Sequence, residues 1–349
     1  MTVIDLPASE IKVVRETHPS VVTWLKAVAF LVFCMILVGG ATRLTDSGLS
    51  ITEWQPLSGA LPPLNEADWN VLFGKYKLTT EYQVQNAWMQ LSDFKYIYWW
   101  EWGHRQLGRL IGLAFVLPLI YFVVRGRIAN SLLLWLGVLL ALGAAQGAMG
   151  WYMVQSGLSG KTDVSQYRLA AHLVLAALLL AALLWTAYGI GVRRAFPRTV
   201  NQWFSVLMLV LIFAQLAMGA FVAGLDAGQA ANTWPKMAGA WVPDGLDVLQ
   251  PAWRNVFENA MAVQFTHRMF AYALLALAML HAWSAFNMPS MILAYAIFTQ
   301  ACIGIMVVLL NLGIGTALLH QAFAVIVLVL AVRNMHRQLT MPGPVPDPQ

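Results

Sequence analysis

Glu101 and His104 stand three residues apart in the stretch Tyr98-Trp99-Trp100-Glu101-Trp102-Gly103-His104-Arg105-Gln106-Leu107-Gly108-Arg109, at the head of the apolar run Leu110–Val124. On a helix that spacing puts a carboxylate and an imidazole on one face. Ionisable groups at membrane depth are costly, which makes them functional-site candidates by default. His172, His267 and His320 occupy the same kind of place, each near the start of a long apolar run. The other three of the seven histidines do not fit: His18 and His336 sit in terminal polar segments and His281 near the far end of a run, so they read as structural.

The four histidines fall two and two into repeated stretches. His104-Arg105 is matched by His267-Arg268, and Arg168-Leu169-Ala170-Ala171-His172 by Thr316-Ala317-Leu318-Leu319-His320. A lone intramembrane histidine is more often a packing residue; four at equivalent positions of a repeat are hard to explain that way. Two imidazoles on facing helices of a bundle suit axial ligation of a haem iron. Zinc would ask for three or four ligands converging on one point. Pairs favour haem. One turn below each histidine comes a small residue (Gly108, Ala176, Ala271 and Ala324), which leaves room for a flat macrocycle but equally serves helix packing. Arg105, Arg109, Arg168 and Arg268 lie near the histidines. They either pair with haem propionates or snorkel to the interface, and both remain open. Glu101 aligns with Gln264 in the second half, so only one pair has an acid beside it. That asymmetry points to one site with chemistry and one plain cofactor, the alternative being a simple Glu101–Arg105 ion pair.

The elements that position these residues follow from composition. The chain has 349 residues, 59% of them hydrophobic and 11% charged, with a mean hydropathy of +0.65. This is an all-α polytopic membrane protein. Its net charge of +5 comes from short Lys/Arg clusters between apolar runs, an orientation signal and not a nucleic-acid surface. Residues 1–21 are charged and contain no cleavable leader pattern. Eight spans are expected: Val22–Ala41, His104–Val124, Ser131–Val154, Leu169–Ile190, Trp203–Ala223, Val263–Phe286, Met291–Leu310 and Gly313–Val332, the last two joined by a tight turn near Asn311. They divide into a cytoplasmic N-terminal segment 1–21, a four-helix bundle 22–190 with a long external loop 42–100, a linker 191–200, a second bundle 201–335 and a tail 336–349. The halves form a parallel repeat.

Lys12, Arg15, Lys26, Arg125, Arg127, Arg193, Arg194, Arg198, Arg333 and Arg337 all lie on one side if both termini do, which makes that side cytoplasmic. Every even-numbered span then starts externally, and all four histidines lie in the outer, periplasmic part of a bacterial inner membrane. Nine tryptophans, including Trp54, Trp88 and Trp241, are concentrated in the external segments, several at headgroup level. Cys34 and Cys302 both fall inside spans and read as packing residues.

With these residues assembled, the sequence resembles the heme A synthase family over nearly its whole length. The resemblance is carried by Gly39-Gly40-Ala41-Thr42-Arg43-Leu44 with Ser47-Gly48-Leu49-Ser50, by Phe94-Lys95-Tyr96-Ile97-Tyr98 leading into Glu101-Trp102-Gly103-His104-Arg105, and by Arg168 with His172. It continues in Asn232-Thr233-Trp234-Pro235-Lys236-Met237, Gln264-Phe265-Thr266-His267-Arg268 and Leu319-His320-Gln321. It implies oxidation of the C8 methyl group of haem O to a formyl group, giving haem A for cytochrome oxidase. His104 and His172 would ligate the substrate haem, His267 and His320 a resident haem b, and Glu101 would be the catalytic acid. The external cysteine pair of some members is missing, as in the branch of alpha-proteobacteria and mitochondria. Beyond haem O and membrane lipid, candidate partners are haem O synthase, oxidase assembly factors and a second copy of the chain; nucleic acid is excluded.

Three rival functions use the same residues. A di-haem cytochrome b passing electrons from quinol would employ both pairs, but such proteins spread their haems toward both faces and leave Glu101 unexplained. A haem transporter would need a polar route to the cytoplasmic side, where the even spans are apolar. A zinc or non-haem enzyme is the most distant.

Overall fold

The computed structural model describes residues 17–56, 58–192, 196–310 and 313–340. Its helices are α1 (Pro19–Leu44), α2 (Glu66–Tyr76), α3 (Leu91–Val124), α4 (Asn130–Gly157), α5 (Gln166–Gly189), α6 (Val200–Gly224), α7 (Asn255–Glu258), α8 (Ala260–Ala285), α9 (Met288–Leu310) and α10 (Ile314–Leu339). All but α2 and α7 are long and apolar enough to cross a bilayer, eight among the described residues, as the sequence predicts. Lys12, Arg15, Arg193, Arg194 and the Asn311 turn lie outside the described residues.

Helix ends follow local chemistry. Pro19 opens α1 where its missing N–H costs nothing, and the His18 ring accepts from the Ser20 N–H. Thr199 and Gln202 form a capping box at α6, and Asn259 caps α8. Two helices outrun the expected spans. α3 begins at Leu91 instead of His104, because its first turns are aromatic and pack on α2: Phe94, Ile97 and Tyr98 are buried against Trp69, Phe73 and Tyr76. α10 runs on to Leu339 because its polar residues find partners. Asn334 donates to the His281 ring (3.0 Å), Ser290 lies 3.1 Å from the same ring, and His336 packs edge-on against Trp185. His281 is fully buried and ties α8, α9 and α10 together, the structural role expected of it. His336 is a helix residue, not part of a polar tail.

α1, α5, α6 and α10 form the centre; α3 and α4 flank it on one side, α8 and α9 on the other. The core is mainly apolar, drawn from Leu25, Val28 and Val32 of α1, Leu180 and Leu183 of α5, Met208 and Ile212 of α6, and Leu328 of α10. Lipid is as apolar as these side chains, so association rests on close packing and interhelical hydrogen bonds. Trp24 donates to the Ala114 carbonyl (2.8 Å) and Trp135 to the Thr186 hydroxyl (2.5 Å). Gln321 of α10 donates to the Ile36 carbonyl of α1 (2.7 Å). Its side chain fills the space over Gly40, where a Cβ would stand 1.9 Å from Gln321 Oε1.

The halves repeat to the level of single dihedrals. Asp46 follows α1 and Asp226 follows α6, both with φ of 49°. Arg43 joins these corners: it donates to Asp46 (2.9 Å), to Asp226 (3.3 Å) and to the Ala223 carbonyl (3.1 Å).

Candidate functional site

Each of the four histidines rests on a glycine of the preceding spanning helix. A Cβ on Gly39 of α1 would stand 2.9 Å from His104 Cε1 on α3, and one on Gly150 of α4 would stand 3.2 Å from His172 on α5. In the second half Gly219 of α6 underlies His267 of α8 (3.3 Å) and Gly304 of α9 underlies His320 of α10 (2.9 Å). A methyl group there would push the ring away, so glycine is what lets the imidazole lie against its neighbour.

One turn before three of those glycines comes a glutamine that grips the histidine's own turn. Gln146 Nε2 donates to the His172 carbonyl (3.0 Å), Gln215 to the His267 carbonyl (3.1 Å) and Gln300 to the His320 carbonyl (2.9 Å). The fourth position, before Gly39, is Met35. Gly39 enters the sequence reading only through the family resemblance, and none of these seven residues is anticipated as a support from the even-numbered spans, where the histidines lie. The signal was present in the odd ones, as Gln-x-x-x-Gly repeated in α4, α6 and α9.

Glu101 is buried and both its oxygens are engaged. Oε2 accepts from the Ser50 hydroxyl (2.8 Å) and the Ile51 N–H (2.7 Å), and Oε1 accepts from Arg105 (2.6 Å). Arg105 also donates to the carbonyls of Ile51 and Glu53. The second half copies this anchor with its polarity altered: Gln264 donates to the carbonyls of Gly228 and Ala231 (each 3.1 Å), and Arg268 to those of Ala231 and Thr233. Glu101 and Gln264 therefore both fasten the loop after the preceding helix to the helix that carries the histidine. Only Glu101 does so with a charge.

The other candidate arginines also face main chain. Arg109 donates to the carbonyls of Gln55 and Pro56 and to Gln106, and Arg168 donates to the Tyr152 carbonyl (2.6 Å) with its guanidinium over the Tyr152 ring. A cavity of about 300 Å³ beside Arg105 and Arg109 is lined also by Ser50, Glu53, Asp68 and Tyr98. Of the small residues below the histidines, Ala176 is buried in the core and Gly108 packs on Met35.

The donor set fits a group that asks for two axial imidazoles and brings its other ligands with it. No cluster of three or more metal-ligating side chains occurs among the described residues. His267 and His320 stand with ring centres 6.5 Å apart and their planes at 68°. A metal ion held between these two imidazoles, at about 2 Å from each, would need ring centres at a separation of that order. His104 and His172 are near enough to interact electrostatically. The Nδ1 atoms of His104, His172 and His267 are buried without a partner.

Fold and site together define an integral membrane protein made of a duplicated four-helix unit with a histidine pair in each copy. The chain belongs to the cytochrome oxidase assembly protein family, whose model matches residues 22–332. It is 50% identical over 325 residues to the heme A synthase of Parvibaculum lavamentivorans, covering 92% of this chain and 94% of that one. It is 48% identical over 347 residues to the heme A synthase of Bradyrhizobium diazoefficiens (97% and 94%). To that of Sinorhizobium medicae it is 47% identical over 321 residues (89% and 88%).

Proposed function

We propose that the chain is a heme A synthase, oxidising the C8 methyl group of haem O to a formyl group and so supplying haem A for cytochrome oxidase. His104 and His172 hold the substrate haem O; His267 and His320 hold a resident haem b. The observation that carries the assignment of roles is the exchange of Glu101 for Gln264 at matched positions. Both residues anchor a loop, so anchoring alone does not call for a carboxylate. The identity to named heme A synthases along almost the whole chain supports the reaction.

Methyl oxidation is chemistry that side chains do not perform; haem supplies the redox capacity when bound. The protein's part is to bind, orient and manage protons. Glu101 is held still by Ser50, Ile51 and Arg105 beside the His104 turn, where it takes up a proton released as the methyl is oxidised or offsets positive charge growing on the macrocycle. Arg105, Arg109, Arg168 and Arg268 keep donors near the histidines, and we assign propionate binding to those not spent on loop carbonyls. Lys26, Arg125, Arg127, Arg198, Arg333 and Arg337 lie toward the ends of the bundle away from the histidines. By the positive-inside rule the histidines then face the periplasm of a bacterial inner membrane and both termini the cytoplasm. The 42–100 segment, with α2 and exposed Trp54 and Trp88, is the surface we assign to haem O synthase or oxidase assembly factors.

The test is haem extraction from cells making this chain together with a haem O synthase. Haem A is expected with the intact chain. Glu101→Gln, which places in the first half the residue tolerated in the second, is expected to keep bound haem and lose haem A. Haem A formed at full yield by Glu101→Gln would remove the acid from the chemistry. Only haem B and haem O from the intact chain, with a bis-histidine spectrum, would install the electron-transferring cytochrome b instead.

A further inference from the structure

The three glutamine contacts and the missing fourth separate the histidines into two kinds. Gln146, Gln215 and Gln300 each bond the main-chain carbonyl of a histidine, at 3.0, 3.1 and 2.9 Å. A carbonyl bond fixes the helix turn whichever way the ring rotates. Both second-half histidines are held in this manner, on α8 and on α10. In the first half His172 is held and His104 is not, because the α1 residue at the matching place is Met35. Its thioether has no N–H to give, and its methyl group packs near Gly108, one turn below His104. The main-chain carbonyl of the His104 turn therefore has no side-chain clamp from α1; that turn meets α1 through the packing over Gly39 and the imidazole's own hydrogen bond to the Val38 main chain.

Resting on the haem assignments above, we infer that Gln146, Gln215 and Gln300 are positioning residues for their histidines, and that Met35 leaves His104 as the labile ligand, so that the first-half site exchanges its haem while the second-half site retains it. An enzyme whose substrate and product are both haems must release one ligand set on each turnover and keep the other. The glutamines mark which is which. Packing of the flanking helices agrees: α8 lies along α9, whereas α3 meets α4 over a short stretch only.

The experiment uses the full chain purified in detergent with its haems bound and follows transfer of haem to an excess of apomyoglobin. The low-spin ferric signal of each histidine pair is recorded in parallel. Wild type should lose haem in two phases, the fast one removed by His104→Ala and the slow one by His320→Ala. Met35→Gln should slow the fast phase roughly five- to tenfold, the size of effect one added neutral hydrogen bond gives, and shift the first-half low-spin signal. Misfolding accelerates haem loss, so slowing cannot arise from damage. Gln215→Met, and the near-isosteric Gln215→Glu, should both speed the slow phase by a similar factor, while Met35→Leu leaves the fast phase at its wild-type rate. Two phases and two bis-histidine signals with no response to Met35→Gln or Gln215→Met overturn this inference and leave the haem sites standing. A wild type without bis-histidine signals overturns both.

Discussion

The two halves share a plan and differ at a few positions, and the differences collect around one histidine. His267 sits over Gly219, is gripped by Gln215, and belongs to a helix whose loop is fastened by Gln264 and Arg268. His104 sits over Gly39, faces Met35, and belongs to a helix whose loop is fastened by Glu101 and Arg105. The glycine is kept, the clamp is removed and a charge is added. Two side chains, Met35 and Glu101, thus set the surroundings of His104 apart from those of His267 in an otherwise matched plan.

The largest effect expected from breaking this comparison is at the ligands. His320→Ala should abolish the low-spin signal of the second half and one equivalent of bound haem, measured by pyridine haemochrome. Loss of both equivalents would mean the halves do not bind independently. A smaller effect sharpens the anchor. Gln264→Glu places a buried carboxylate against the carbonyls of Gly228 and Ala231, so it should destabilise the second half by about 1–3 kcal/mol or more. A lowered thermal midpoint in detergent reads this out; an unchanged midpoint would show that the anchor's polarity is irrelevant. Smaller again, Gly39→Ala should displace the His104 ring and alter the first-half signal more than Gly219→Ala alters the second, since the added methyl stands at 2.9 Å in one and 3.3 Å in the other.

A separate effect, confined to one loop, lies in the segment between α1 and α3, which carries α2. Burial holds the Glu81 carboxyl at about 8, with the Tyr76 hydroxyl working the other way and the charges of Asp46 and Glu101 adding to the rise. The folded state thus binds this proton more tightly than the unfolded chain. Stability of the segment should be greatest at low pH, decline as pH rises above the usual carboxylate value of 4.5 and level off beyond about 8. Limited proteolysis within residues 58–90 across that pH range measures it, and Glu81→Gln should flatten the profile.

Much of this was legible beforehand because the strongest signals are local. Apolar runs long enough to span give eight helices, and His-Arg at the head of two of them exposes the repeat. The Glu101/Gln264 exchange is visible by aligning those heads. What was not legible depends on contacts between distant segments. Nothing near Glu101 in sequence says that its carboxylate is satisfied by Ser50 and Ile51. Nor does anything local say that Arg105, Arg109 and Arg268 spend donors on loop carbonyls. The early start of α3 escaped because its aromatic turns are stabilised by α2 and not by lipid.

The bond from Gln321 to the Ile36 carbonyl also bears on how the molecule is made. Its two ends are separated by 285 residues, donor on the last spanning helix and acceptor on the first. α1 leaves the ribosome long before α10 exists. Until then the groove at Gly40 stays empty, and the α1 turn beneath His104 lacks one of its neighbours. A chain truncated before α10 would therefore lack the contact that ties its first spanning helix to its last.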